Sequence, residues 1–458
     1  MSNQFELAII GAGVVGCALA REFAKHDISI ALIDAASDVG EVTSKANTAI
    51  LHTGFDMTPN SLESKLVSQG YELLKAYAQE LNIAVEKLGG LLVAWNEIEE
   101  ENLAKLQEKA VANGYQDCEI ITAEQLYELE PNLGAGALAA LTVPGEWIID
   151  PWSPIVAFAT QAKLAGAQIL LNTKVESIAQ SGEQFLLTTN KGQISCKYLI
   201  NAAGLYSDEI DKKLGLSDFT ITPRRGELIV FDKLARSLIN HIILPVPTQM
   251  GKGVLVSPTV FGNIMLGPTA ENLEDKTATG TTPDGISGLL EKVKRIAPSL
   301  LNEEITATYA GLRAASEHSD YQIKLHKVAN HSNYLTVGGI RSTGLTASMA
   351  IAIYAKQLLT KAGMRLSSEK QLPKISLNNL GEANLRNYQS DERIKEQPLH
   401  GQIICHCERA TTQEVLDLFD SPLPPTTLAG ISRRSRAGLG RCQGFYCHSE
   451  LRKLLEKK

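Results

Sequence analysis

The first apolar run of the chain, residues 5–10, leads directly into a glycine-rich turn, and a helical stretch follows to about Lys25. A continuous apolar run of this length that ends in glycines is typical of a buried parallel strand running into a helix. A second apolar run, Ile28–Ile33, ends at Asp34. The pattern therefore predicts a strand–helix–strand unit at the N-terminus.

Later segments carry the periodicities of both helices and strands. β-Branched runs broken by Gly and Pro between Gly226 and Pro268 favour an antiparallel sheet. Residues 366–398 are polar and weakly periodic, which suits a linker or a packed irregular connection. The remaining predicted elements are helices over residues 60–80, 97–113 and 345–362, and strands over residues 168–172, 185–189, 194–200 and 334–337.

Composition places the chain among ordinary globular proteins. A length of 458 residues predicts two or three domains, and 44% hydrophobic with 21% charged residues is usual for a soluble protein. The net charge of −7 argues against a nucleic-acid-binding protein. No stretch approaches the roughly 20 apolar residues of a membrane span, and the N-terminus lacks a signal-peptide pattern. We therefore expect a cytoplasmic protein with reduced cysteines, for which peripheral membrane association stays open.

The last 60 residues differ from the rest in charge and in cysteine content. Residues 399–458 hold nine Lys and Arg against six Asp and Glu, and four of the seven cysteines. Cys405 and Cys407 are spaced C-x-C, and Cys442 and Cys447 are spaced C-x₄-C. Clustered thiols in a reducing compartment indicate a metal site. The C-x-C spacing is shorter than the spacing usual for cysteine pairs at zinc sites. Four thiolates nevertheless suit either a zinc ion or a [2Fe–2S] cluster.

The N-terminal turn has the arrangement of a dinucleotide-binding fingerprint. Gly11 allows the tight turn, Gly13 lets a pyrophosphate approach the backbone, and Gly16 allows close packing of helix and strand. Asp34 stands 18 residues after Gly16, where a carboxylate accepts hydrogen bonds from an adenosine ribose. The fingerprint predicts a bound dinucleotide and does not distinguish FAD from NAD.

Three further segments indicate FAD. Together with the fingerprint, Thr43–Asn47, Asn201–Gly204 and Gly338–Thr346 resemble the D-amino-acid oxidase-like family of flavoproteins over nearly all of residues 1–365. In that family the last turn begins a helix directed at the flavin pyrimidine ring, which stabilises negative charge there. The resemblance implies FAD contacts at Ser44, Lys45, Asn47, Val175, Ala203, Gly204, Gly339, Thr343, Gly344, Leu345 and Thr346.

The substrate side resembles the branch of glycerol-3-phosphate and L-2-hydroxyglutarate dehydrogenases, in Ser44–Phe55, in Tyr309–Arg313 and in the late glycine-rich turn. The resemblance implies that His52 removes the hydroxyl proton of the substrate. It also implies that Arg313 and Arg341 hold an anionic substrate group. Each residue has a plainer alternative, a core histidine for the first and structural ion pairs for the two arginines.

Three other basic residues are weaker candidates for this anionic site. Arg224 and Arg225 flank it from the predicted antiparallel sheet, although at least one of them is expected on a solvated surface. Lys252, between two glycines, is a candidate to close over an anion.

The cysteine-rich tail resembles bacterioferritin-associated-ferredoxin-like [2Fe–2S] domains. The resemblance rests on Ile404–Glu408 and Arg436–Gly444 and covers essentially all of residues 399–458. It implies that the four cysteines bind a [2Fe–2S] cluster, with backbone N–H groups and nearby arginines tuning its reduction potential.

These observations predict an α/β plus α+β protein. A Rossmann-like FAD-binding domain is interleaved with an antiparallel-sheet substrate domain, and a small helical [2Fe–2S] domain follows. The predicted boundaries are residues 1–80, 145–220 and 310–365 for the FAD-binding domain, 81–144 and 221–309 for the substrate domain, 366–398 for the linker, and 399–458 for the [2Fe–2S] domain.

The function expected from these features is an FAD-dependent dehydrogenase that oxidises a small anionic hydroxy compound, foremost sn-glycerol 3-phosphate. Hydride passes to FAD, and electrons then pass through the cluster to an acceptor subunit or a quinone-linked protein. The alternatives are an L-2-hydroxyglutarate dehydrogenase and an amino-acid or opine dehydrogenase. A function of a different class is an electron carrier that only binds a partner protein.

Overall fold

A computed structural model describes residues 3–247 and 253–457; Lys252 lies outside these ranges. Within them, the strands are β1 (Gln4–Ile10), β2 (Ile30–Ile33), β3 (Ile50–Leu51), β4 (Val85–Glu86), β5 (Gly90–Ala94), β6 (Glu119–Thr122), β7 (Ala139–Val143), β8 (Trp147–Ile149), β9 (Gln168–Leu170), β10 (Val175–Ser181), β11 (Gln184–Thr189), β12 (Gly192–Asn201), β13 (Ile221–Phe231), β14 (Ile242–Pro245), β15 (Leu255–Pro258), β16 (Ile264–Gly267), β17 (Glu271–Asn272), β18 (Ile305–Ser316), β19 (Gln322–Val328), β20 (His331–Gly338), β21 (Ile403–Cys405) and β22 (Ala410–Thr411).

The α-helices over the same ranges are α1 (Val14–Phe23), α2 (Leu62–Glu80), α3 (Glu97–Ala112), α4 (Ala123–Leu129), α5 (Ser153–Leu164), α6 (Ser207–Lys212), α7 (Pro283–Ile296), α8 (Gly344–Lys361), α9 (Asp391–Glu396), α10 (Thr412–Phe419), α11 (Leu428–Ser435) and α12 (His448–Glu456). The N-terminal strand–helix–strand unit predicted from the apolar runs is confirmed, and the three helices predicted from periodicity are α2, α3 and α8.

The first sheet contains the dinucleotide fingerprint. Strands β9, β2, β1, β12 and β20 lie side by side in that order and are parallel. Antiparallel strands β10, β11 and β19 extend it. One face packs against α1, α5 and α8 through a large apolar core. Because β1 is central and buried, the turn that follows it is fixed at the carboxyl edge of the parallel strands, where open α/β sheets bind ligands.

The second sheet is mainly antiparallel and is formed by β5–β7 and β13–β18, in the order β17-β13-β16-β15-β14-β5-β7-β6 with β18 paired to β13. Strands β13 and β18 pair along their whole length. Since β18 belongs to this sheet as far as Ser316, the predicted domain boundary at residue 310 falls inside a strand. The mixed α/β fold with an interleaved antiparallel sheet was predicted correctly.

The C-terminal part is a small, mostly helical unit. Its core contains Cys405 and Cys447 together with Val415, Ile431 and Leu451. The preceding segment, residues 366–398, is irregular but packed rather than a free linker, because Leu380 and Arg386 are each 2% exposed. In the part of the chain that the structure describes, no helix is long and apolar enough to cross a membrane.

Candidate active site and cysteine centre

The fingerprint turn is packed so closely that only glycine fits at two of its positions. A Cβ on Gly11 would lie 2.3 Å from the Ala202 carbonyl oxygen, and one on Gly16 would lie 1.8 Å from the Gly11 carbonyl oxygen. Gly11 also has a φ of +104°, which favours glycine. Gly13 precedes the first turn of α1, where N–H groups lack helical partners. The residues therefore fit a pyrophosphate at this helix end.

Asp34 lies at the end of β2 and anchors the turn. Its carboxylate accepts hydrogen bonds from the N–H of Ala12 at 2.5 Å and of Ala36 at 2.7 Å. Burial raises the pKa of this carboxyl despite the two donors. Val175, the first residue of β10, is buried in the apolar core that also contains Ile33, the residue before Asp34. A ribose held by Asp34 would use the carboxylate lone pairs that the two backbone N–H groups leave free.

Two loops converge on the turn. After β12, the Asn201 side chain accepts from the N–H of Ala203 at 3.2 Å, and Gly204 follows with φ +55°. From the other side, the hydroxyl of Ser44 accepts from the N–H of Val14 at 3.0 Å. The structure thus brings the first three predicted FAD segments together around the start of α1.

The loop that carries Ser44, Lys45 and Asn47 joins the fingerprint to the second sheet. Asn47 is held in place by its own side chain, which donates to the Ser44 carbonyl and accepts from the N–H of Ala49. The Asn47 carbonyl accepts from the Tyr309 hydroxyl at 2.8 Å. A cavity of about 600 Å³ lies beside this loop, lined by Thr43, Lys45, Leu205, Thr281 and Tyr309–Leu312 among others.

The late glycine-rich turn is fixed by side chains of α2 and β18–β19. Gly339 has φ +63°, and Gly344 and Leu345 are buried at the start of α8. The Thr343 hydroxyl donates to Glu63 at 2.7 Å and contacts the Tyr321 hydroxyl. The Thr346 hydroxyl accepts from the N–H of His52 at 3.1 Å. The late turn and the predicted base are therefore neighbours.

His52 lies between two carboxylates. Its Nε2 is 3.3 Å from Asp56 Oδ1, and its Nδ1 is 3.2 Å from Glu146 Oε1. Although burial lowers the pKa of the imidazole, the charges and hydrogen bonds of Glu146 and Asp56 raise it to about 9. The N–H of Gly54 also donates to Nδ1 at 2.9 Å, so the neutral form carries its proton on Nε2. The two carboxylates therefore favour the protonated imidazole.

The two predicted substrate arginines lie in different surroundings. Arg313 is largely buried on β18, and its pKa is lowered by burial and by the charge of Arg224. The Nη2 of Arg341 donates to Glu63 at 2.9 Å and to the Ser319 carbonyl at 2.6 Å. Arg341 therefore belongs to the network that holds the late turn.

The four cysteines of the tail come together as two neighbouring pairs. The thiols of Cys407 and Cys442 hydrogen-bond to each other, as do those of Cys405 and Cys447. Within residues 3–247 and 253–457, no three His, Cys, Asp or Glu side chains are arranged to hold one metal ion. His406, between the first two cysteines, is exposed.

Backbone N–H groups donate to the sulfurs of the tail. The N–H of Gly438 donates to Cys405 Sγ at 3.4 Å. Burial opposes ionisation of Cys442, but the N–H groups of Tyr446, Gly444 and Phe445 and the Cys407 thiol hold its pKa below the ordinary value. This supply of donors fits a cluster of anionic sulfurs better than isolated thiols.

The sequence alone did not indicate how the tail docks onto the rest of the molecule. Asp38, just after β2, forms ion pairs with Arg433 at 2.7 Å and with Arg434 at 2.6 Å, and all three side chains are almost fully buried. Arg436 lies over the ring of Phe261, which stacks on Trp152. These contacts join the cysteine-bearing unit to the loop beside the fingerprint.

Glu146 and Asp56 were also missed as partners of His52. Asp56 is four residues from His52, and Glu146 is 94 residues away without a local motif. Only the antiparallel pairing of β3 with β8, which brings residues 50–51 beside residues 147–148, places Glu146 near His52.

Comparison with known proteins identifies two families in the chain. Residues 6–358 match the FAD dependent oxidoreductase family, and residues 403–457 match the BFD-like [2Fe-2S] binding domain. A glycerol 3-phosphate dehydrogenase of Caloramator mitchellensis is 35% identical over 99% of this chain and 94% of its own length. The bovine mitochondrial L-2-hydroxyglutarate dehydrogenase is 31% identical over 59% of this chain and 61% of its own.

A solved structure shows the same fold with a bound cofactor. The dithionite-reduced L-alpha-glycerophosphate oxidase of Mycoplasma pneumoniae, with FAD bound, superposes with a TM-score of 0.74 at 32% identity. The match covers 81% of this chain and 97% of the oxidase. The cofactors implied by the two matched families are FAD and a [2Fe–2S] cluster, and the residues described above fit both. The chain belongs to the FAD-dependent oxidoreductase family and carries a BFD-like [2Fe–2S] binding domain at its C-terminal end.

Proposed function

We propose that this enzyme is a dehydrogenase that oxidises sn-glycerol 3-phosphate to dihydroxyacetone phosphate. The observation that carries the proposal is the match to a glycerol 3-phosphate dehydrogenase over 99% of this chain, which includes the cysteine-bearing unit. The match to the glycerophosphate oxidase covers 81% of this chain and 97% of the oxidase. A one-electron centre suits a dehydrogenase that passes electrons onward, whereas an oxidase that reduces oxygen directly has no need of one.

When bound, FAD would supply the hydride acceptor, and a [2Fe–2S] cluster held by Cys405, Cys407, Cys442 and Cys447 would supply a one-electron route to a protein or quinone acceptor. His52 removes the proton of the secondary hydroxyl once its imidazole is neutral, and Asp56 and Glu146 orient the ring. Arg313 binds the anionic end of the substrate, so that the reacting C–H is held in one orientation. The backbone donors of the late turn, Gly339 to Thr346, stabilise negative charge at the start of α8.

Arg341 has a proposed role that differs from that of Arg313. Its ion pair with Glu63 ties the late turn to α2, and its Nη2 is occupied by Glu63 and the Ser319 carbonyl. We therefore assign Arg341 to positioning of the turn, with substrate binding as the alternative that an Arg341→Met variant tests.

The substrate is tested by anaerobic mixing with sn-glycerol 3-phosphate. We expect bleaching of the flavin absorbance, followed by the electron paramagnetic resonance signal of a reduced [2Fe–2S] cluster. Absence of bleaching contradicts the substrate assignment. Bleaching with a cluster that stays oxidised contradicts the relay while leaving the substrate in place.

A second candidate substrate is L-2-hydroxyglutarate, because relatives with that activity align over 59% of the chain. The same experiment with L-2-hydroxyglutarate distinguishes the two, since the better substrate bleaches the flavin at lower concentration. An amino acid in the same assay tests C–N oxidation. Tight partner binding without bleaching by any of the three favours a pure electron carrier.

A further inference from the structure

Arg224 and Arg313 lie directly opposite each other on β13 and β18. Side chains of directly paired residues project from the same face of a sheet. Tyr309 and Gly311 also lie on that face, because they alternate with Arg313 along β18. The Tyr309 hydroxyl reaches the Asn47 carbonyl, and a Cβ on Gly311 would lie 2.6 Å from the Ala46 carbonyl oxygen. The two arginines therefore occupy the face that meets the FAD loop.

Neither arginine has an acidic partner among the residues that the structure describes. Arg224 Nε is buried without a hydrogen-bond partner, and Arg313 is mostly buried beside a second positive charge. Like charges placed opposite each other in a sheet are destabilising, and desolvated charges are costly unless they are paired. An anion bound between the two guanidinium groups removes both costs.

The neighbouring residue shows the opposite arrangement. Arg225 pairs with Leu312, which places it on the other face of the sheet. There it forms an ion pair with Glu271 at 2.5 Å and donates to the Gly280 carbonyl at 3.3 Å. Arg225 is thus neutralised within the protein, whereas Arg224 and Arg313 are not.

Gly226, two residues after Arg224 on β13, leaves room for the side chain of Arg313. A Cβ on Gly226 would lie 2.8 Å from Arg313 Nη2, so the glycine lets the guanidinium lie flat across β13. Two guanidinium groups on one face offer up to ten N–H donors and a charge of +2. A phosphomonoester dianion, with three terminal oxygens, matches this charge better than a single carboxylate does.

We propose that Arg224 is a specificity-determining residue that binds, together with Arg313, the dianionic phosphate of a phosphomonoester substrate. The inference rests on the proposed function, and it adds a residue and a reason for preferring a phosphate over a carboxylate. It also predicts that affinity depends on the ionisation of the phosphate, whose second pKa is near 6.

The test compares Arg224→Met with Arg225→Met and Arg224→Lys, each loaded with FAD. The dissociation constant of sn-glycerol 3-phosphate is taken from the concentration dependence of anaerobic flavin reduction between pH 5.5 and 8. We expect Arg224→Met to weaken binding by about 10-fold or more, the size of one charge-assisted hydrogen bond. Arg225→Met stays within about twofold of wild type, because Arg225 lies on the other face. Arg224→Lys recovers part of the loss.

Two further readouts separate a direct role from a structural one. Neutral glycerol, which has no phosphate, is expected to reduce the flavin equally slowly in wild type and in Arg224→Met. The wild-type affinity for sn-glycerol 3-phosphate falls as pH drops below about 6, and this dependence is weaker in Arg224→Met. Inorganic phosphate competes with the substrate in wild type and less well in the variant.

Two outcomes overturn the inference. One is a dissociation constant in Arg224→Met that stays within about twofold of wild type; the other is an equal loss in Arg225→Met. If wild-type flavin is not reduced by sn-glycerol 3-phosphate at all, the proposed function fails first. Binding of inorganic phosphate, followed as a perturbation of the flavin spectrum, then still reports whether Arg224 contributes to an anion site.

Discussion

Two cationic groups of this enzyme are placed in opposite electrostatic surroundings. His52 lies between Asp56 and Glu146, which raise its pKa to about 9. Arg313 lies beside Arg224, and neither has a carboxylate partner in the described parts of the chain. The carboxylates around His52 favour its protonated form, whereas the positive charges of Arg313 and Arg224 are available to an anionic ligand. The difference supports the proposal that His52 accepts the proton and that Arg313 and Arg224 bind the anion.

The largest expected effect is that of removing the imidazole. His52→Ala is expected to slow anaerobic flavin reduction by about 100-fold or more, because general base catalysis contributes that much. The dissociation constant for substrate stays within a few-fold. His318→Ala, which removes a histidine on the protein surface, serves as the control. A reduction rate within a few-fold of wild type shows that His52 is not the base.

Next in size is the loss of the unpaired guanidinium. Arg313→Met is expected to raise the dissociation constant of sn-glycerol 3-phosphate by about 10- to 100-fold, since hydrogen bonds to charged groups are lost. Arg341→Met is expected to affect retention of FAD more than affinity for substrate, because Arg341 already pairs with Glu63. Equal losses of substrate affinity in both variants place Arg341 in the substrate site as well.

A smaller effect follows from changing one carboxylate beside His52. Only the neutral imidazole accepts a proton, so the wild-type rate of flavin reduction is expected to rise with pH through about 9. Glu146→Gln removes the largest favourable charge and moves this rise to lower pH by about one unit. Stopped-flow reduction between pH 6 and 10 measures the shift. An unchanged profile contradicts the assignment of the titration to His52.

The smallest effect concerns stability. The folded pKa of His52, about 9, lies above the ordinary value of 6.5. The ion pairs therefore contribute stability that is complete below about pH 6.5 and is lost as pH rises through about 9. Thermal unfolding should show a decline over this window in wild type and a weaker one in His52→Ala. If stability declines equally in wild type and in His52→Ala, groups other than His52 cause its pH dependence.

A site could be predicted from the sequence where the residues that form it lie close together along the chain. The turn from Gly11 to Gly16 and the four cysteines have fixed spacings, because short backbone segments form each site. These spacings predicted a bound dinucleotide and a metal centre, and the resemblance to two families then implied FAD and a [2Fe–2S] cluster. The contact of His52 with Glu146 depends on the pairing of β3 with β8, and the pair Arg224–Arg313 depends on the register of β13 with β18. Register is set by the packing of whole sheets, so these contacts could not be predicted from spacing.

The same limit applies to the domain boundary predicted at residue 310. It falls inside β18, which continues unbroken to Ser316 as the partner of β13. The extent of a strand depends on its partner strand, and local sequence does not show that partner.

The buried ion pairs of Asp38 also affect the order of events during synthesis. Asp38 lies beside the fingerprint, and its partner Arg433 is made 395 residues later. Until the ribosome reaches the final helices, this carboxylate stays solvated, because burying it alone costs several kcal/mol. The loop that carries Asp38 therefore gains these contacts only after residues 433 and 434 have been made. A chain that stops before residue 433 is expected to leave this loop less firmly held.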